Sequence, residues 1–164
     1  MDITMLIDGS DTPATDAAQF ERRNPVSGEV ATRAPAAKSA DVDKAVEAAA
    51  AAFPEWSETA PAARRAILNK AADALDAATE EFIKAAMAET GATGPWIGFN
   101  VMLAANMLRE AAAMTTQISG EIIPSNKPGT MAMAIREPVG VLVGMAPWNA
   151  PVILAVRALA LPIA

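Results

Sequence analysis

The side chain best suited to chemistry in this sequence is Asn149, in the turn Pro147-Trp148-Asn149 that follows a long apolar run. An amide N–H at such a turn can donate a hydrogen bond to an oxyanion that forms on a bound carbonyl group. One such donor typically accelerates the reaction by a factor of about 10²–10³. The alternative is structural, because an asparagine just before a helix is often its N-cap. Position alone favours the N-cap interpretation.

The composition restricts what other chemistry is available. The 164 residues include no cysteine and no histidine. Disulfides and Cys/His zinc sites are therefore excluded, and the chain offers neither a thiolate nucleophile nor the commonest general base. Glu121 and Glu137 lie beside predicted strands, but no second carboxylate stands at a defined spacing from either. The sequence predicts no acid–base pair.

Charge and hydropathy narrow the choice of partners. The net charge is −6, from 13 basic and 19 acidic residues, and a polyanion normally requires a basic patch. We therefore expect no nucleic-acid partner. The apolar stretch 139–164 is interrupted by prolines, an asparagine and an arginine, and no basic amphipathic face is visible. We expect no membrane association and a cytoplasmic location.

Two elements must position Asn149. Val139–Met145 is apolar at every position, which is typical of a strand inside a parallel sheet that helices cover on both faces. Pro151–Ala164 has the pattern of an apolar helix. Ligands of such sheets bind outside the carboxyl ends of the strands, where Asn149 would lie. The chain offers no second strand of this kind, so we expect it to be a fragment of a longer protein.

The N-terminal part begins with short strands. Ile3–Ile7 is a candidate strand, followed by a polar loop, Ser10–Ala17. The turn Asn24–Glu29 combines Asn, Pro, Ser and Gly, a strong turn signal. Phe20–Arg23 and Glu29–Ala34 flank it and are predicted to form a hairpin.

Four helices are predicted next, at Asp41–Phe53, Pro61–Ala78, Thr79–Thr90 and Pro95–Ile118. Helical spacing predicts which residues of the first two helices face inward. They are Val42, Ala45, Val46, Ala49 and Phe53 in the first, and Leu68, Ala71, Ala72 and Leu75 in the second. Pro61 suits a first helical position, Thr79 an N-cap, and Gly91 the residue that ends a helix.

Three motifs together resemble the aldehyde dehydrogenase superfamily. The run Arg136–Ala164 contains E-P-x-G-V followed by P-W-N-x-P, which is similar to the family where it enters its nucleotide-binding domain. The turn N-P-x-x-G-E-V-A and the helix A-x-x-A-F-x-x-W, which ends with Ala52, Phe53 and Trp56, are similar to its N-terminal region. These motifs span nearly the whole chain, which would be well under half of a family member.

The resemblance implies an α/β fold, in which N-terminal strands and a four-helix region lead into the first βα unit of a Rossmann-like nucleotide-binding domain, here incomplete. Residues 1–120 would be the N-terminal part of the cofactor-binding domain. Residues 121–136 would be a β-hairpin similar to the family's oligomerisation arm, and residues 137–164 the first strand, turn and helix of the nucleotide-binding core.

The resemblance also implies roles. Asn149 matches the oxyanion-hole amide, which acts with the backbone N–H of a catalytic cysteine. Met145, Ala146, Pro147 and Trp148 match the segment beside the nicotinamide ribose of NAD or NADP. In the family a thiolate attacks the aldehyde, a hydride passes to NAD(P)+, and a glutamate-activated water releases the acid. We expect the cysteine, the glutamate and the ribose-binding lysine beyond Ala164, and the 164 residues alone to be inactive.

The helix start N-A-P-V-I-L-A-V-R-A resembles members that act on aromatic aldehydes such as salicylaldehyde, vanillin or benzaldehyde. Ala150, Leu154 and Arg157 fall on one helical face and can line one tunnel. Arg157 would meet a phenolic oxygen or stack on a ring. A salt bridge to a carboxylate elsewhere in the protein is the other possibility, and the sequence does not choose between them.

Several interpretations outside this helix also remain open. Trp96 and Met102 start the long helix that borders the substrate tunnel in the family, but helical spacing favours core packing for both. The alternating Met131, Met133 and Ile135 predict a half-buried strand, which resembles the family's oligomerisation arm. The alternative is a hairpin that lies on the surface and has no partner. A homo-oligomer, dimer or tetramer, is expected.

The alternative function is a non-catalytic helical scaffold or interaction module of the same ancestry. Such a module would cover the strand Val139–Met145 and cap its last helix. A fragment would leave the edge of that strand and the apolar face of the last helix exposed.

Overall fold

The computed structural model describes residues 1–164 and contains three two-stranded antiparallel sheets and five helices. The strands are β1 (Met5–Ile7), β2 (Ser10–Thr12), β3 (Gln19–Arg23), β4 (Val30–Pro35), β5 (Glu121–Ile123) and β6 (Ala132–Ala134). The helices are α1 (Ser39–Ser57), α2 (Pro61–Ala77), α3 (Thr79–Thr90), α4 (Gly94–Met114) and α5 (Pro151–Ile163). The predicted order of short strands, four helices, a hairpin and a last helix is confirmed.

Helix α4 is the centre of the helical part and packs against α2, α3 and α5. The main core cluster consists of small and aliphatic side chains from α2, α4 and α5: Leu68, Ala72, Ala105, Leu108, Ala111, Ala112 and Ala160. The alanines let the helices approach closely. At the rim of this interface Arg109 pairs with Asp76 and Asp73, at 2.7 and 2.8 Å. Hydrogen bonds from the Arg109 guanidinium to Asp76 and Asp73 raise its pKa.

The predicted helix ends are partly right. Pro61 begins α2, and Gly91 ends α3 in the left-handed conformation with φ 69°. The predicted Thr79 cap is wrong, because the N-cap is Ala78 and the Thr79 hydroxyl donates instead to the carbonyl of Asp76, 2.7 Å away. Helix α4 stops at Met114, four residues before the predicted Ile118.

The hairpins show one correction and one confirmation. Ser10–Thr12, predicted as loop, forms β2 and pairs with β1. Asp8 and Gly9 both have positive φ, which is the geometry of the tight turns that connect paired strands. The predicted hairpin of β3 and β4 is confirmed, and the Asn24 side chain holds its turn by accepting the N–H groups of Val26 and Ser27.

The predicted inward faces of the first two helices are only partly right. Leu68 and Ala72 are buried, whereas Ala71 is exposed. In α1 the predicted face is wrong, since Val42 and Val46 are exposed. The physical reason is that α1 makes no extensive contact with another helix, so its apolar side is left largely uncovered.

The predicted strand Val139–Met145 is wrong for this structure. The segment forms no strand, and most of its side chains are exposed. A strand requires a hydrogen-bonded neighbour, and no other strand of residues 1–164 pairs with this segment. The β5–β6 hairpin forms as predicted, but Met131, Met133 and Ile135 are exposed where the alternation predicted a half-buried strand.

Candidate functional site

The segment 139–146 forms neither helix nor strand and approaches α5 at Gly144. A Cβ atom at Gly144 would lie 3.1 Å from the Cβ of Ala158 and 3.4 Å from a methyl group of Leu159. Glycine therefore permits a close approach between the segment and the second half of the helix. The chain then turns through Pro147-Trp148-Asn149 and enters α5 at its first turn. This path places Pro147, Trp148, Asn149 and Ala150 at the N-terminal end of α5.

Asn149 is exposed, and its side chain makes no hydrogen bond within residues 1–164. The N-cap of α5 is Ala150, which has no side-chain oxygen, and no side chain caps the helix. The N-cap interpretation of Asn149 is therefore wrong for this structure. The amide instead lies beside the positive end of the helix dipole, where it can donate to an incoming oxygen atom.

The proposed cofactor segment is apolar and largely exposed. Met145 and Trp148 expose most of their surface next to Asn149. No carboxylate occurs between Pro138 and Ala164, and the only charged side chain in that range is Arg157. A flat aromatic ring can lie against such a surface, and nothing in the segment repels an anionic ligand. The residues present thus fit a nicotinamide dinucleotide.

The three residues predicted to line the tunnel from the start of α5 differ in solvent exposure, which increases along the helix. Ala150 is buried, Leu154 is half-buried and Arg157 is exposed. The Arg157 side chain takes part in no ion pair or hydrogen bond within residues 1–164. Its guanidinium is consequently available to a partner outside these residues.

Trp96 and Met102 do not belong to the core of residues 1–164. They are 43% and 51% exposed, and Trp96 stacks on Phe99 with ring centroids 5.7 Å apart. Met102 lies six residues after Trp96, about 120° round the helix from it. It also lies nearly opposite Ala104, which packs against Val152 of α5. The structure therefore groups Trp96 with Phe99 and places Met102 on another face of α4.

A large cleft lies elsewhere, at the far end of α5. It measures about 700 Å³ and is lined by α1, by residues 136–142 and by the last turn of α5, including Trp56, Arg136 and Ile163. Asn149 and the other predicted site residues do not line it. The cleft follows from the uncovered faces of α1 and of the unpaired segment, and its size is not a guide to the chemistry.

No cluster of three or more carboxylate, imidazole or thiol groups is placed to bind a metal ion. None of the five helices combines the length and the apolar content needed to cross a bilayer.

Two residues near the site were not singled out in the sequence. Phe99 forms the aromatic pair with Trp96, and their spacing of three residues in a helix is a signal that could have indicated it. Asn100 is fully buried in α4, and its side-chain oxygen has no partner. Its burial could not be read from the sequence, because asparagine is mostly exposed in folded proteins.

Comparison with known proteins agrees with this geometry. The model of the aldehyde dehydrogenase family matches residues 12–164. The vanillin dehydrogenase of Pseudomonas fluorescens is 59% identical over 164 residues, which cover 100% of this chain and 34% of that protein. The chain thus spans about a third of the length of the curated relatives it matches.

Solved structures give the same result. A salicylaldehyde dehydrogenase from Pseudomonas putida G7, complexed with salicylaldehyde, matches with a TM-score of 0.96 at 42% sequence identity. The matched region covers 99% of this chain and 34% of the chain of that enzyme. A NAD-dependent benzaldehyde dehydrogenase from Corynebacterium glutamicum matches with a TM-score of 0.91 at 34% sequence identity. The matched region covers 96% of this chain and 35% of the chain of that enzyme. The chain belongs to the aldehyde dehydrogenase family, and the predicted fold class is confirmed.

Proposed function

We propose that the whole protein oxidises an aromatic aldehyde to the carboxylic acid with NAD or NADP. The observation that carries the proposal is the exposed amide of Asn149, which makes no hydrogen bond at the first turn of α5. The similarity to enzymes named for vanillin, salicylaldehyde and benzaldehyde supports the substrate class.

In this proposal Asn149 is a catalytic residue. Its N–H donates to the aldehyde oxygen and holds the negative charge that develops there as the carbonyl carbon becomes tetrahedral. The positive end of the α5 dipole acts in the same direction. The chain contains no cysteine, so the attacking thiolate is assigned to a residue outside these 164. The resemblance to the family assigns the glutamate that activates water there as well.

Met145, Ala146, Pro147 and Trp148 would hold the nicotinamide end of the cofactor. When bound, NAD(P)+ supplies the acceptor for the hydride. The chain's own contribution is an apolar wall: the exposed Met145 and Trp148 offer surface to a flat ring and shield it from water. Both NAD and NADP remain within the proposal.

For the substrate tunnel we propose Ala150, Leu154 and Arg157 on α5, with Trp96 and Met102 on α4. The small Ala150 leaves room for a ring, and the unpaired Arg157 can donate to a phenolic oxygen. Both α4 side chains are exposed within residues 1–164, so both are accessible to a bound substrate.

The proposal also includes an organisation for the whole protein. Residues 1–120 and 137–164 would belong to the cofactor-binding domain, and residues 121–136 would be the oligomerisation arm of a cytoplasmic dimer or tetramer. The exposed apolar side chains on β5 and β6 support the arm, since a lone surface hairpin rarely presents so many together.

The test is aldehyde-dependent reduction of NAD+ and NADP+ by the whole protein. Vanillin, salicylaldehyde and benzaldehyde should each yield the carboxylic acid with one equivalent of reduced cofactor, and faster than propanal. Absence of turnover with every aldehyde and either cofactor would favour the non-catalytic scaffold instead.

A further inference from the structure

Asn100 is a buried polar side chain with one unused hydrogen-bonding group. It lies in α4 with none of its surface exposed. Its Nδ2 donates to the carbonyl oxygen of Trp96, 2.9 Å away, and its Oδ1 has no partner. A buried acceptor without a donor is costly and rare in folded proteins, so each such atom requires an explanation.

The packing of α4 against α5 locates this oxygen. At the start of α5, Val152 packs in one cluster with Val101 and Ala104 of α4. Near the end of α5, Ala160 joins the cluster that holds the second half of α4. The two helices therefore run in the same direction. Asn100 lies one turn before Ala104 on the same face, and so at the level where the chain enters α5.

The first turn of α5 carries the complementary groups. The N–H groups of Val152 and Ile153 have no acceptor, although both residues are only 8% exposed. The first N–H groups of any helix lack intrahelical partners, and a side-chain oxygen usually satisfies them. Ala150, the N-cap, has no such oxygen. The start of α5 therefore has donors without acceptors, at the level of α4 where Asn100 has an acceptor without a donor.

We propose that Asn100 is a positioning residue for Asn149. Its Oδ1 accepts a hydrogen bond from one buried water, which in turn accepts an N–H of the first turn of α5, and so caps α5 from the neighbouring helix. This bond fixes the direction in which the turn presents the Asn149 amide. The inference rests on the proposed function, in which that amide meets the substrate oxygen.

A double-mutant cycle in the whole enzyme tests this. Asn100→Leu keeps the size of the side chain and removes the acceptor. We expect kcat to fall about 10- to 100-fold, as when a catalytic group is displaced by a fraction of an ångström to an ångström. KM should change by less than about threefold, because the interaction with the oxyanion is made in the transition state. In an Asn149→Ala background the same substitution should change kcat by less than about twofold.

The matched control is Asn106→Leu, at an exposed position of the same helix, which should leave kcat unchanged. Equal losses from Asn100→Leu in both backgrounds, or an unchanged kcat, would overturn the positioning role. If Asn100→Leu does not fold, Asn100→Ala takes its place, and failure of both to fold would assign Asn100 to core stability and overturn the proposal as well. A wild-type kcat for Asn149→Ala alone would instead contradict the proposed function.

Discussion

The carboxylate of Asp41 accepts two hydrogen bonds from Thr15, one from its backbone N–H at 2.9 Å and one from its hydroxyl at 2.5 Å. The second carboxylate oxygen accepts the backbone N–H of Lys38, the N-cap of α1, at 3.0 Å. One buried side chain thus starts α1 and ties it to the segment that follows β2. The hydrogen bonds from Lys38 and Thr15 lower the pKa of Asp41.

We predict that Asp41→Asn lowers the thermal midpoint of the protein. Only one of the two polar atoms of the asparagine amide is an acceptor, so the amide cannot accept the hydrogen bonds from both Lys38 and Thr15 as the carboxylate does. The N-terminus of α1 therefore loses part of its stabilisation. Thermal unfolding of the whole protein at neutral pH measures the loss. Asp43→Asn is the control, since Asp43 is exposed on the same helix and makes no hydrogen bond.

The stabilisation by Asp41 should depend on pH with a defined sign. Its folded-state pKa is lowered, so its contribution is fully present above the unfolded value of about 3.9 and is lost as the pH falls through the folded-state pKa. The difference between wild type and Asp41→Asn should therefore be constant from neutral pH to about pH 5 and shrink below about pH 4. A difference that grows on acidification would contradict this account.

Gly91→Ala should destabilise the protein more than Gly28→Ala. Both glycines have positive φ, 69° and 75°, which costs a residue with a Cβ about 1–2 kcal/mol. At Gly91 a Cβ would also lie 2.9 Å from Cγ of Pro25, whereas at Gly28 it would meet nothing within 4 Å. Denaturant unfolding gives the free energy of unfolding of each variant, and the difference between the two variants is the cost of the contact with Pro25. Equal losses would mean that Pro25 moves aside freely.

Arg157→Leu should weaken the use of hydroxylated aromatic aldehydes more than that of benzaldehyde. A hydrogen bond to a charged group contributes about 1.5–3 kcal/mol, so kcat/KM for salicylaldehyde or vanillin should fall at least about tenfold further. Benzaldehyde, which lacks the hydroxyl, is the internal control. An equal decrease for all three substrates would assign Arg157 to an ion pair in the whole protein instead.

Met133→Glu should reduce the size of the assembly formed by the whole protein. Met133 lies opposite Ile122 in the β5–β6 hairpin, and both are exposed. A carboxylate there would be buried without a partner if the hairpin packs against another subunit. Light scattering measures the mass, and Lys127→Glu in the connecting turn is the control. An unchanged mass would make the hairpin a plain surface feature.

Local patterns predicted the elements that depend on neighbours in sequence. The Asn24–Glu29 turn and the left-handed Gly91 follow from residue chemistry alone, and both were correctly placed. The strand Val139–Met145 was not, because a strand depends on a partner that no local pattern supplies. The inward face of α1 was mispredicted for a similar reason. Its sequence has an apolar face, but the other elements of residues 1–164 leave that face largely uncovered.

The candidate site was only partly accessible from the sequence. The motif around Asn149 indicated its position, but whether its amide caps α5 depends on the turn geometry, which places Ala150 at the cap. The environment of Asn100 depends on the packing of α4 against α5, two elements that begin more than fifty residues apart. Such contacts follow from tertiary structure and leave no local signature.

The most direct test of the central claim is the kcat of Asn149→Ala in the whole enzyme, measured as aldehyde-dependent NAD(P)H formation with vanillin. Loss of the oxyanion donor should lower kcat about 10²–10³-fold with little change in KM, while the thermal midpoint stays near that of the wild type. Asn106→Ala, at an exposed position outside the site, should behave as wild type. A wild-type kcat for Asn149→Ala would contradict the assignment of this amide to catalysis.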